Sequence, residues 1–476
     1  MRQSLFALLL LAPMAVAQPL PEAKDGKLTV PLELTPAAAR KPLSDFYLEV
    51  GYGERQPGDK LSGFLKCFME QDNFYAKNHQ EKIERWRTMP LDELPADVRE
   101  QAGIASGVAY KESKYTTMMG FADQAARYSR TEWNEYFNLR KDAVYFLLPE
   151  VQKLRQLGTV LHLRLRGEIK AGEFEKAVVT VRSLFGLARM LETHPTLIGN
   201  LVGIAVASLA VNGLEEMVAR PGCPNLYWSF ADLPTPFLSI REGLGGERVF
   251  VSATFGKAIP SDRAMTDADV NAAVQLVTEV IAMGADKPNP FDKPGLKYAA
   301  LTANDKLLEG VREKLTKAGT SADVVKAMPK MQLALLADVQ RYDVTRDELF
   351  KWMNRPHAEA LAGLKEREEV TRLEKQAGWV IAPFFLPSTQ KVKTAQAKLD
   401  QRLAYLMAIE AVRLHAAENG GKLPEKLADV KATVPNDPVS GKPFGYTVKD
   451  GVATLSGTNP TGGEVDNRVY ELKLRK

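Results

Sequence analysis

The chain has 476 residues, of which 45% are hydrophobic and 26% charged, and its formal net charge is only +4. With 63 Lys+Arg against 59 Asp+Glu and no basic stripe interleaved with aromatics, nucleic acid is not a predicted partner. The length allows two or three structural units, and two cysteines, Cys67 and Cys223, are too few to scaffold it, so an apolar core must hold the chain together.

The N-terminus has the layout of a secretory signal. Met1-Arg2 is a short basic region, Leu5 to Leu11 is apolar, and Ala15-Val16-Ala17 is a small-x-small cleavage site. Residues 1–17 are therefore read as a signal peptide, with a mature chain starting at Gln18 and located in the periplasm or outside the cell. Residues 18–57 follow as an extended leader, Pro-rich and then weakly strand-like at Leu28-Thr29-Val30. An oxidising compartment permits a Cys67–Cys223 disulfide, while the apolar setting of Cys67 suits a buried free thiol equally well.

From Gly58 to about residue 420 apolar residues recur at spacings of three and four, which predicts helix nearly throughout. Residues 58–285 form a first helical-hairpin unit and residues 286–390 a second, joined by the linker-like DKPNPFDKPG (Asp286–Gly295). Within the first unit, Leu161–Leu191 reads as two helices meeting at Ala171-Gly172. Gly172, Phe174 and Ala177 match the turn of tetratricopeptide-type repeats, but no further copy follows at that period. The expectation is mainly α: irregular antiparallel helical hairpins, weakly tetratricopeptide-like. The apolar run Ile198–Leu214 carries Asn200, Ser208 and Asn212 and ends at Glu215-Glu216, which predicts a buried helix rather than a membrane span. No transmembrane segment is expected in the mature chain. Capping signals are read at Thr266/Asp269, at Thr320/Asp323 and at Thr345-Arg-Asp-Glu348. Trp379–Leu386 is read as an apolar inter-helix turn, interrupted by Pro383 and followed by Pro387.

Residues 391–476 read as a separate module. An amphipathic helix, Thr394 to Asn419, presents Leu399, Leu403, Leu406, Ile409 and Val412 on one face and ends at Gly420-Gly421. A short helical turn from Leu423-Pro424 to Val430 follows. Phe444–Lys449 and Val452–Ser456 form a β-hairpin about Asp450-Gly451, and Val469–Leu474 is a candidate third strand.

No pattern in the chain carries recognisable chemistry. His79, His162, His194, His357 and His415 make no zinc motif; neither a G-x-S-x-G elbow nor a phosphate loop is present; and Gly243-x-Gly245-Gly246 lacks the strand and third glycine of a dinucleotide site. No catalytic, cofactor-binding or metal-binding residue is assigned, and no cofactor is expected. Two weaker patterns remain. Glu464 and Asp466, with Asp450, could offer calcium only some of the oxygens it takes, so a solvated loop is the expected reading. The aromatic patch Cys223–Phe237 (Asn225, Tyr227, Trp228, Phe230) is either a ligand contact or an anchor docking one hairpin on the next.

The order of parts in the tail, NGGKLPEKLADV followed by VPNDPVSGKPFGYTV, resembles the C-terminal half of type II secretion major pseudopilins. Across most of the mature chain, and most strongly from Arg402 to Tyr446, the sequence is similar to uncharacterised secreted helical proteins of planctomycete bacteria. The resemblance implies an architecture and a compartment and adds no activity. Two functions are therefore carried forward. The first is a non-catalytic extracytoplasmic scaffold or binding protein of the cell envelope, with a protein or envelope component as partner. The second is a hydrolase of an envelope polymer acting through paired carboxylates, recognisable by two acids in one cleft, one with a raised pKa.

Overall fold

The computed structural model describes residues 26–39, 43–68, 85–104, 116–134, 148–284, 293–461, 463 and 466–475. The residues expected to form a signal peptide, His79, most of the Asp286–Gly295 segment and Glu464 lie outside these residues.

Helix takes up 63% of the structure, with a small strand module at the C-terminal end, so the chain is mainly α as its periodicity requires. The centre is three long helices: α4 (Pro149–Ala171), α5 (Phe174–Glu192) and α6 (Leu197–Val218), preceded by short α1 (Lys60–Leu65), α2 (Ala96–Gln101) and α3 (Thr116–Arg127). The α4–α5 joint falls at Ala171-Gly172, where the sequence placed it. Helix α6 is apolar all round because it is enclosed: neighbouring helices cover most of its surface, and its length and hydropathy alone would suit a membrane span. Its Asn200 is fully used. The Nδ2 group donates to the carbonyls of Leu191, Glu192 and His194, and Oδ1 accepts from Gly243 N. A Cβ on Gly243 would lie 2.2 Å from that oxygen, so the glycine serves close helix approach rather than a dinucleotide.

Next come α7 (Tyr227–Ala231), α8 (Arg241–Phe255), α9 (Asp267–Gly284), α10 (Pro294–Leu301), α11 (Asp305–Lys317), α12 (Ala322–Ala327), α13 (Lys330–Met353), α14 (His357–Gln376) and α15 (Ile381–Glu418). Thr266 and Asp269 cap α9 reciprocally, as expected. Two capping expectations are corrected. Ser321, one residue after Thr320, caps α12, and Thr345 lies inside α13, where its hydroxyl donates to Glu374.

The expected turn at Trp379–Leu386 is also corrected. Helix α15 runs 38 residues from Ile381 and crosses position 390 without a break. Pro383 falls in the first turn, where no N–H is needed. Pro387 removes one helical hydrogen bond, but Ile381, Phe385 and Leu386 on the same helix are buried, and their packing outweighs that loss. Asp338 of α13 caps this start, accepting from Val380 N and Ile381 N at 3.4 and 3.1 Å.

The sheet is larger than a hairpin. Its order is β1 (Leu28–Leu34), β6 (Arg468–Leu474), β5 (Val452–Ser456), β4 (Gly445–Lys449). The β4–β5–β6 part is antiparallel, as expected, whereas β1 pairs in parallel with β6 from Leu28↔Arg468 to Leu34↔Leu474. Part of the expected leader is thus an integral strand of the C-terminal sheet. Two short strands unseen in the sequence, β2 (Gln56–Asp59) and β3 (Tyr128–Arg130), pair in parallel. Between β4's approach and α15, only Leu427–Asp429 of the expected turn to Val430 is helical. One continuous apolar cluster runs from Leu32 through α4–α6 and α13 to Leu406, Phe444 and Tyr470.

Candidate functional site

Among the described residues, three assemblies of buried charge tie helices, leader and sheet together. The first lies among α3, α4 and α5. The Arg164 guanidinium is forked onto Asp123 at 2.6 and 3.2 Å, and its Nε donates to Thr180 Oγ1 at 2.8 Å. The Thr180 hydroxyl donates to Glu168 Oε2 at 2.5 Å, and that of Ser183 to Asp123 Oδ1 at 2.5 Å. Burial pushes Glu168 up to about 7, with Arg164 and Thr180 opposing the shift. Asp123 keeps a quarter of its side chain exposed. Here are two carboxylates in one cluster, one with a raised pKa, as the hydrolase alternative requires. A buried cation sits between them, however, and binds both.

The second assembly closes the sheet onto the helical body. Glu215, at the end of α6, accepts from Arg402 of α15 at 2.9 Å, from Arg468 of β6 at 3.0 Å and from the Tyr470 hydroxyl. Despite the opposing effect of burial, these two cations hold its carboxyl down at about 2. The third assembly is an ion pair with both side chains fully buried, Glu410–Arg413 at 2.9 Å. Arg413 also donates to the carbonyls of Thr35, Pro224 and Cys223, tying the leader and the α6–α7 loop to α15.

The residues singled out in the sequence are placed as follows. Cys67 and Cys223 are buried and not bridged to each other, and burial pushes each thiol up to about 12, so neither is a reactive thiolate. Burial, with help from Arg166 and Arg87, drives His162 down to about 3; His194 falls to about 4 through burial, and its Nδ1 pairs with Thr196. His357 Nδ1 meets Val439 O, which leaves these three in separate places. Among the described residues, no three of His, Cys, Asp and Glu converge as a metal set. In the tail loop, Asp466 is engaged by Lys398 at 2.7 Å and by the Thr461 hydroxyl, and Asp450 stands at the β4–β5 turn.

The aromatic patch is an anchor. Asn225 Oδ1 accepts from Tyr227 N and its Nδ2 donates to Glu410 O, while the Tyr227 hydroxyl reaches Thr433 O at 2.8 Å. Tyr227 and Phe230 are buried, and only Trp228 is turned to solvent. No family model, curated protein or solved structure matches the chain.

Proposed function

We propose that the protein is a non-catalytic scaffold or binding protein of the cell envelope, exported to the periplasm or beyond, with a protein or envelope component as its partner. The observation that supports this reading is the internal use of its buried charge: Glu215 and Arg413 bond segments distant in sequence, and Glu410 pairs with Arg413. Buried networks with all members bonded fix one arrangement of elements. An array of helical hairpins fixed in this way offers extended surface and needs no reactive side chain to bind. The signal-like N-terminus and the pseudopilin-like order of the tail support the compartment. The test is in vivo cross-linking from a photoreactive residue placed at Tyr52 or Trp228, both exposed aromatics, with mass spectrometry of the N-terminus. A reproducible adduct with an envelope component, on a chain beginning at Gln18, is expected. An intact Met1 form in the cytoplasm without such an adduct overturns the proposal.

The alternative, an envelope-polymer hydrolase, rests on the Asp123–Glu168 pair. Its test is release of new chain ends from envelope polymer by the purified chain. Release that Glu168→Gln abolishes, without loss of folding, would establish it; unchanged polymer removes it.

A further inference from the structure

The two edges of the C-terminal sheet are built differently. At the β1 edge, Leu28 N donates to Asn467 O and Leu34 O accepts from Arg475 N. By alternation Leu28, Val30, Leu32 and Leu34 bond towards β6, and the backbone groups of Thr29, Pro31 and Glu33 point outward. Pro31, which has no N–H, thus stands in the middle of that edge and blocks strand addition. At the other edge, β4 (GYTVK) contains no proline and its register on β5 is unbroken. Among the described residues, no strand lies beyond it. The two-residue turn at Asp450-Gly451 makes Lys449 and Val452 a hydrogen-bonded pair, so Gly445, Thr447 and Lys449 bond to β5. The N–H and C=O groups of Tyr446 and Val448 therefore point to the open side. Val448 is 39% exposed although it belongs to the apolar face, where its partner Ala453 and the Tyr446 partner Leu455 are fully buried.

We propose that β4 is the docking edge for a second copy of this chain, paired antiparallel with its own β4 about a two-fold axis at Thr447. The order of residues in the strand selects this occupant. With Thr447 on the axis, Tyr446 of each copy meets Val448 of the other, and each such pair exchanges both of its N–H···O=C bonds. An aromatic side chain opposite a β-branched one is a favourable cross-strand pair, and here it covers the exposed Val448. Thr447 meets Thr447 on the outer face. Lys449, the only charge in the strand, falls opposite Gly445, so no like charges oppose each other. Two four-stranded sheets become one continuous sheet, and the two-fold contact closes on itself at the dimer. A pair of five-residue strands is small against the roughly 1,600 Å² of a standard interface, so the dimer dissociates readily. The inference goes beyond the scaffold reading and holds whether the chain binds or hydrolyses its partner.

The experiment is sedimentation of the full chain from low-micromolar to millimolar concentration, where a monomer–dimer equilibrium is expected. Thr447→Lys, which sets two like charges opposite each other on an exposed face, should weaken association at least tenfold. So should Val448→Pro, which gives β4 the device that β1 has in Pro31 and leaves the bonds to β5 in place. Cross-linking fixes the register. Thr447→Cys should give a disulfide-linked dimer on mild oxidation, because facing residues of a non-bonded antiparallel pair bring their Cα atoms to about 4.5 Å, within disulfide reach. Lys449→Cys, also exposed but far from its own copy in this register, should not. Cys67 and Cys223 are buried and do not compete. A chain that stays monomeric throughout, association unchanged by Thr447→Lys, or cross-linking as fast through Lys449→Cys as through Thr447→Cys overturns the proposal. So does a Thr447→Cys chain that cross-links in envelope extract only to another protein.

Discussion

The α4–α5–α6 hairpins and the C-terminal sheet are held by different forces. In the hairpins, Leu184, Leu187, Val206 and Leu214 are fully buried within one apolar cluster, which the Arg164 network interrupts among α3, α4 and α5. The sheet has a small apolar face, in which Tyr405 stacks on Phe444 with ring centres 4.5 Å apart. It is joined to the helices through Glu215–Arg468, through Arg413 of α15, which donates to Thr35 O just after β1, and through Asp437, whose carboxylate accepts from Gln401, Thr458 N and Val439 N. Apolar packing specifies that elements come together, whereas directional bonds to buried charge specify which strand end meets which helix. A four-stranded sheet with a parallel edge strand drawn from the N-terminus needs the second kind of information.

Arg413→Ala leaves Glu410 buried and unpaired and should cost about 3–5 kcal/mol in urea unfolding. If it costs less than an apolar truncation in the hairpins, the contrast fails. Leu406→Ala and Leu187→Ala, both fully buried, should each cost about 2–5 kcal/mol, showing that hydrocarbon contributes equally on both sides. Acid unfolding should report Glu215. Its carboxyl is held down at about 2, so its contribution is present above the ordinary value of 4.5 and is lost as pH falls towards 2. That contribution is about 3 kcal/mol, and Glu215→Gln should remove the corresponding part of the acid slope. Gly441 adopts φ +71, and a Cβ there would lie 3.1 Å from the Ala358 Cβ, so Gly441→Val should cost about 1–2 kcal/mol in thermal melts. Tyr405→Phe keeps the stack and removes one hydrogen bond to Arg468 O, and should cost only about 0.5–1.5 kcal/mol.

The readable parts of the sequence were those fixed by local rules. The α4–α5 joint, the buried character of α6 and the strands on either side of Asp450-Gly451 follow from periodicity and turn chemistry. Local rules also misled. Thr345-x-x-Glu348 has the form of a capping box but sits in the middle of α13, where buried neighbours keep the helix going and Thr345 serves Glu374 instead. Pro387 reads as a break, but α15 continues because packing overrides the proline. The charged assemblies were illegible for a different reason. Glu215 appears in the sequence as one of two adjacent acids after an apolar run, and its partners Arg402 and Arg468 are 187 and 253 residues away. Only the fold brings them together. The faint strand signal at Leu28-Thr29-Val30 likewise gave no hint that its neighbour would be the last strand of the chain.

The sheet and the helical body form one unit closed by Glu215. Native-state hydrogen exchange of Glu215→Ala tests it at both ends of the cluster. The amides of β6 and of the C-terminal turns of α6 should lose protection together, while those of α4 and α5 keep theirs. Unchanged protection in β6 would contradict the claim.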